Sequence, residues 1–110
     1  MKARPAFPRS PAACCSLDIE GEEEGRFVAM LKAAGNPVRF EILKFLVTHP
    51  GCITGAIVDH LPLAQATVSQ HLKVLKEAGW VAGEIEGPAT CYELDRDKIA
   101  WFRKTVQSIF

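Results

Sequence analysis

The chain has 110 residues, 48% of them hydrophobic and 24% charged; that is one domain's worth, able to bury a core without disulfides or a structural metal, and too aliphatic for global disorder. Its apolar runs, such as Ile42 to Val47, are short and broken by charge, so neither a bilayer-spanning helix of about 20 residues nor a secretory segment is expected, and the reading is a cytoplasmic protein. Thirteen Lys and Arg balance thirteen Asp and Glu, which lacks the basic excess usual in nucleic-acid binders, yet five acids fall between Asp18 and Glu24, leaving ten Lys and Arg against eight Asp and Glu from Gly25 to Phe110.

Residues 1–16 carry Pro5, Pro8 and Pro11 with Lys2, Arg4 and Arg9, a spacing that favours an extended arm over a helix. The folded domain is expected over 17–110. A first helix, from about Glu22 to Ala34, would bury Phe27, Met30, Leu31 and Ala34, with acids at its positive end. Asn36-Pro37 is a cap followed by a first-turn proline, and Val38, Ile42, Phe45 and Leu46 give the second helix its face before His49-Pro50-Gly51 stops it. Thr54 can cap a short third helix with Ile57, Val58 and Leu61 buried, closed by Pro62.

The fourth helix, about Ala64 to Ala78, sets Val68, Leu72 and Leu75 on one side and stops at Gly79. Two strands, Trp80 to Ile85 and Ala89 to Leu94, flank Glu86-Gly87-Pro88 as a hairpin, with Thr90, Tyr92 and Leu94 alternating onto one face. Asp95 or Asp97 caps a last helix with Ile99, Phe102, Val106 and Ile109 in one stripe. Trp101 and Phe110 add more apolar area than a monomer's surface helix needs, so a partner is expected there.

A short helix, a tight turn, a second helix and a hairpin form a winged helix-turn-helix, mainly α with a small β-hairpin, which would lay the fourth helix in the major groove of duplex DNA. Such a helix needs an acid-free outward face with short side chains and hydrogen-bonding groups. Thr67, Ser69, Gln70 and Lys73 supply it, and no acid follows until Glu77. There is no Gly-rich phosphate loop, nucleophile with a base, or histidine pair at hydrolase spacing, so no enzyme is expected.

The stretch Leu63-Ala-Gln-Ala-Thr-Val-Ser-Gln-His-Leu-Lys-Val-Leu-Lys-Glu-Ala-Gly79, preceded by Asn36-Pro-Val-Arg-Phe-Glu-Ile-Leu43, resembles the ArsR/SmtB family of winged-helix metalloregulators over about residues 26 to 105. The resemblance implies a homodimer held by its first and last helices, one recognition helix per operator half-site, and release of DNA when an effector binds. On it Gln65, Thr67, Ser69, Gln70, His71 and Lys73 are the expected DNA-binding residues. The sequence departs from the family in three places. Only Cys52 lies near the third helix, where relatives carry a cysteine-rich metal box; Lys98 to Phe110 has no histidine for the zinc site of the last helix; and the wing carries Glu84 and Glu86, which repel phosphates.

Cys14, Cys15 and Cys52 remain. Soft thiolates select thiophilic ions, and trivalent arsenic takes three sulfurs in a pyramid. Some family members join a vicinal pair on one subunit's arm to a single cysteine of the other, and this resemblance implies an As(III) or Sb(III) site at Cys14, Cys15 and Cys52 that makes the chain an arsenic-responsive repressor. His49 and His60 flank Cys52 and offer a zinc alternative, while Cys91 reads as a small buried hydrophobe. Two rival functions stand: the same fold sensing redox state or persulfide through its thiols, and a winged-helix module that binds protein.

Overall fold

The computed structural model describes residues 19–49, 52–86 and 89–110. The arm, with Cys14 and Cys15, lies outside these, as does the wing tip at Gly87-Pro88. Five helices and three strands follow in the order α1 (Glu22–Ala34), α2 (Pro37–Thr48), β1 (Cys52–Ile53), α3 (Thr54–His60), α4 (Gln65–Ala78), β2 (Val81–Glu86), β3 (Ala89–Leu94) and α5 (Arg96–Ile109). None of the described helices is long and apolar enough to cross a membrane.

The second helix starts where its sequence signal stands. Asn36 Oδ1 accepts from the backbone N–H of Val38 at 2.9 Å and of Arg39 at 3.1 Å, and Pro37 occupies the first helical position, where no N–H is needed. At the far end of α4, Gly79 takes the left-handed conformation with φ 107°. Its N–H and that of Trp80 close on the carbonyls of Lys76 and Leu75, a Schellman turn that a Cβ would strain. The chain leaves α4 there at a fixed angle. Trp80 begins no strand, contrary to expectation; its indole N–H donates to the Met30 carbonyl at 2.7 Å, tying α1 to the end of α4.

The core sits where α2, α3 and α4 meet the sheet. Ile42, Leu46, Ile57, Val68, Leu72 and Leu75 are fully buried, with Ala33, Leu43, Phe45 and Val81 around them. Val58 and Leu61, expected inside, are half-buried at its edge. The stripe of α1 is also displaced from its expected position. Phe27, Met30 and Ala33 are buried, whereas Leu31 is 47% exposed and Ala34 half-buried. The rotation has a cause: Phe27 stacks on Phe102 at 5.1 Å and Met30 is held by Trp80, which turns Val28 and Leu31 outward.

The hairpin is joined by a third strand that the sequence did not announce. β1 pairs antiparallel with β3, Cys52 facing Tyr92 and Ile53 facing Cys91, so the sheet order is β1-β3-β2. Cys52 and Cys91 are therefore not register partners but stand one rung apart. Tyr92, also opposite Gly83, lays its ring over that glycine, where an added Cβ would come within 2.5 Å of it.

Asp95, the first of the two candidate caps, starts α5 by accepting from the Lys98 N–H at 3.2 Å. None of the residues of α5 is buried. Replacing the α2 cap by Asn36→Ala leaves two amides without their side-chain acceptor and should cost about 1 kcal/mol of stability, read by urea unfolding; an unchanged midpoint would show that the cap is dispensable.

Candidate nucleic-acid interface

The helix that supplies the centre of the core also presents the most distinctive outward face. Val68, Leu72 and Leu75 point inward at intervals of three and four residues, so the helical period turns Gln65, Ala66, Thr67, Ser69, Gln70 and Lys73 to solvent. All six are exposed. The N-cap residue Ala64 carries no side-chain acceptor, and the first turn has no acid. Its leading N–H groups thus stay open at the positive end of a 14-residue helix, an arrangement that suits a phosphate.

Two neighbours hold α4 in place. The turn after α3 closes with Leu61 N–H on the Ile57 carbonyl at 3.0 Å and Leu63 N–H on the Leu61 carbonyl at 2.8 Å, bringing α3 directly against α4. On the other side Lys76 Nζ donates to the Gly83 carbonyl at 3.3 Å, linking α4 to the wing strand β2. Helix, turn, helix and wing form one unit.

His71 is the sixth predicted DNA residue and the one that is half-buried. Its Nδ1 lies 3.4 Å from Nη1 of Arg39, whose Nε donates to the Ala33 carbonyl at 2.8 Å. Arg39 was not expected at this surface. It stands in the first turn of α2, where a cation opposes the helix dipole, and that misplacement was the available signal that its partner lies elsewhere.

The cysteines are distributed differently. Cys52 opens the edge strand β1, immediately before α3, and Cys91 is half-buried in β3. His49 and His60 are drawn to Phe45, His49 stacked on it with ring centroids at 4.3 Å and His60 tilted against it at 4.5 Å. His49 Nδ1 is engaged further, 2.8 Å from Thr48 Oγ1. Among the described residues no cluster of three or more His, Cys, Asp or Glu side chains is placed to hold a metal ion.

Comparison with known proteins gives this arrangement a lineage. Residues 36–82, from the α2 cap to the start of the wing, match the family of bacterial regulatory proteins of the arsR type. An uncharacterized HTH-type transcriptional regulator of Methanocaldococcus jannaschii is 33% identical over 88 residues, covering 80% of this chain and 99% of the relative. The HTH-type transcriptional repressor SmtB of Mycobacterium tuberculosis is 40% identical over 90 residues, and the match spans 82% of this chain but only 60% of SmtB. Among solved structures, a possible transcriptional regulator for arsenical resistance superposes with a TM-score of 0.66 at 30% identity, covering 74% of this chain and 83% of that one. These relatives are transcriptional regulators and not enzymes. With its capped α2, helix pair and wing all inside the shared segment, this chain belongs to the ArsR family of regulatory proteins.

Proposed function

We propose that this chain is a repressor that grips duplex operator DNA as a homodimer, one α4 to each half-site, and lets go when As(III) or Sb(III) binds its cysteine thiolates. The observation that carries the DNA reading is the face of α4: five exposed hydrogen-bonding residues, Gln65, Thr67, Ser69, Gln70 and Lys73, no acid before Glu77, and an uncapped N-terminus. In the major groove the open amides meet phosphate, Gln70 matches an adenine edge, and Lys73 neutralises the backbone. The family binds operator DNA and usually dimerises.

A second copy is what α5 lacks. Ile99, Trp101, Phe102, Val106 and Ile109 are only half-buried, Phe110 is 95% exposed, and Val28 and Leu31 add apolar surface on α1. A partner would cover this face and fix the spacing of the two α4 helices at about 34 Å, one turn of DNA.

The effector reading rests on the thiols and on the name of the arsenical-resistance neighbour. Cys14 and Cys15 belong to the proposed arm, residues 1–16, and Cys52 to the strand that runs into α3, within the proposed domain of residues 17–110. A metalloid joined to the arm of one subunit and Cys52 of the other would load α3, the helix packed on α4. Joining two chains through one ion costs entropy, which arsenic–thiolate bonds offset. Ligand and DNA then oppose each other by roughly 1–3 kcal/mol, and each weakens the other by the same factor.

Two experiments test the two halves. On a duplex selected from a random pool, Gln70→Ala should lose on the order of 1–3 kcal/mol, with little loss on unselected DNA, because it removes a base contact. Lys73→Ala should weaken both and, with one Lys73 lost from each of the two subunits, reduce the salt slope by about two. Equal losses for Gln70→Ala on the two DNAs would mean that it positions and does not specify. For the effector, arsenite under reducing conditions should displace the wild type from DNA, measured by fluorescence anisotropy, whereas Ser at Cys14, Cys15 or Cys52 should keep DNA binding and blunt release. Cys91→Ser should behave as the wild type. Release by peroxide but not by arsenite would assign the thiols to redox sensing.

A further inference from the structure

The groove between the start of α2 and the middle of α4 is lined by Arg39, Gln70, His71, Lys73, Val74 and Glu77. Gln70, His71 and Lys73 belong to the proposed DNA face, whereas Arg39 comes from another helix. Its guanidinium is held twice, Nε donating to the Ala33 carbonyl at 2.8 Å and Nη1 lying 3.4 Å from His71 Nδ1. The first contact satisfies a carbonyl in the last turn of α1 and sets a cation at the negative end of that helix. It also fixes the plane of the rigid guanidinium.

The second contact has only one chemically sound form. An arginine nitrogen donates and never accepts, so Nδ1 must offer its lone pair, and the ring then carries its hydrogen on Nε2. A hydrogen on Nδ1 would set N–H against N–H.

We propose that Arg39 is a positioning residue of the DNA interface, holding His71 with its hydrogen on Nε2 so that the ring meets a backbone phosphate as a neutral donor beside Lys73. This rests on the DNA-binding reading above and adds a residue outside the recognition helix to it. Glu77, on the same groove one turn beyond Lys73, repels phosphate and confines the contact to the Gln70 end. A neutral donor displaces no counterion, so His71 adds affinity without adding salt dependence, unlike Lys73.

The test uses the full chain in two measurements. Nitrogen NMR of labelled imidazoles in the DNA-free protein should find His71 with its hydrogen on Nε2, and should find both tautomers in Arg39→Met. Titration of mixed-sequence duplex DNA across salt concentrations should find His71→Ala about a hundredfold weaker, the size of one hydrogen bond to a charged group in each of the two subunits, with its salt slope unchanged. His71→Gln, whose amide nitrogen takes the place of Nε2, should recover most of the loss. Combining Arg39→Met with His71→Ala should lose less than the product of the two single losses. A wild-type ring with its hydrogen on Nδ1 overturns the proposal without any variant, whatever Arg39→Met does to folding. A salt slope that falls by about two in His71→Ala, or single losses that multiply, overturns it too. If the wild type binds no duplex at any salt, the DNA reading fails and takes this role with it. That outcome is distinct, because the imidazole spectrum is read without DNA.

Discussion

One helix must do two incompatible things at once, and the rest of the fold follows from how α4 does them. Val68, Leu72 and Leu75 are wholly buried at the centre of the core, while residues between them on the same helix stay exposed. A helix with so sharp a division cannot roll about its axis without burying Gln70 or exposing Leu72, and burying a polar side chain without a partner costs about 1–3 kcal/mol. The rotational setting of the outward face is thus fixed by core packing. Its direction is fixed at both ends, by the turn from α3 and by the left-handed Gly79.

Around that helix the connections are few and directional. The Trp80 indole ties the end of α4 to α1, Lys76 ties its last turn to the wing, and Arg39 ties its middle to the junction of α1 and α2. A push on α3 from β1, or on α1 and α5 from a second subunit, therefore reaches α4 through packed or hydrogen-bonded neighbours. Among the described residues the edge strand β1 pairs only with β3 and continues straight into α3. The relatives share this frame.

Local rules made much of this legible in the sequence. The Asn36-Pro37 start, the Gly79 stop, the stripe of α4 and the Asp95 cap each depend on residues within a few positions, and each stands where the sequence places it. What escaped depends on distant neighbours. β1 is two residues long and has no room for alternation, so only β3 defines it. The buried face of α1 turned from Leu31 toward Ala33 because Trp80 and Phe102, more than 45 residues away in sequence, grip the opposite edge. Arg39 reaches across 32 residues to His71, a contact that no local pattern encodes. Cys14 and Cys15 lie outside the described residues, so the site proposed for them is read from the sequence alone.

The central claim is that a pair of α4 helices grips duplex DNA chiefly through its phosphates. Sedimentation of the wild type with a mixed-sequence duplex over a range of salt concentrations addresses it most directly. The account predicts two chains per bound site and a linear fall of log affinity with log salt, with a slope of about two units because Lys73 of each subunit neutralises a phosphate. One chain per site, or binding indifferent to salt, would contradict it.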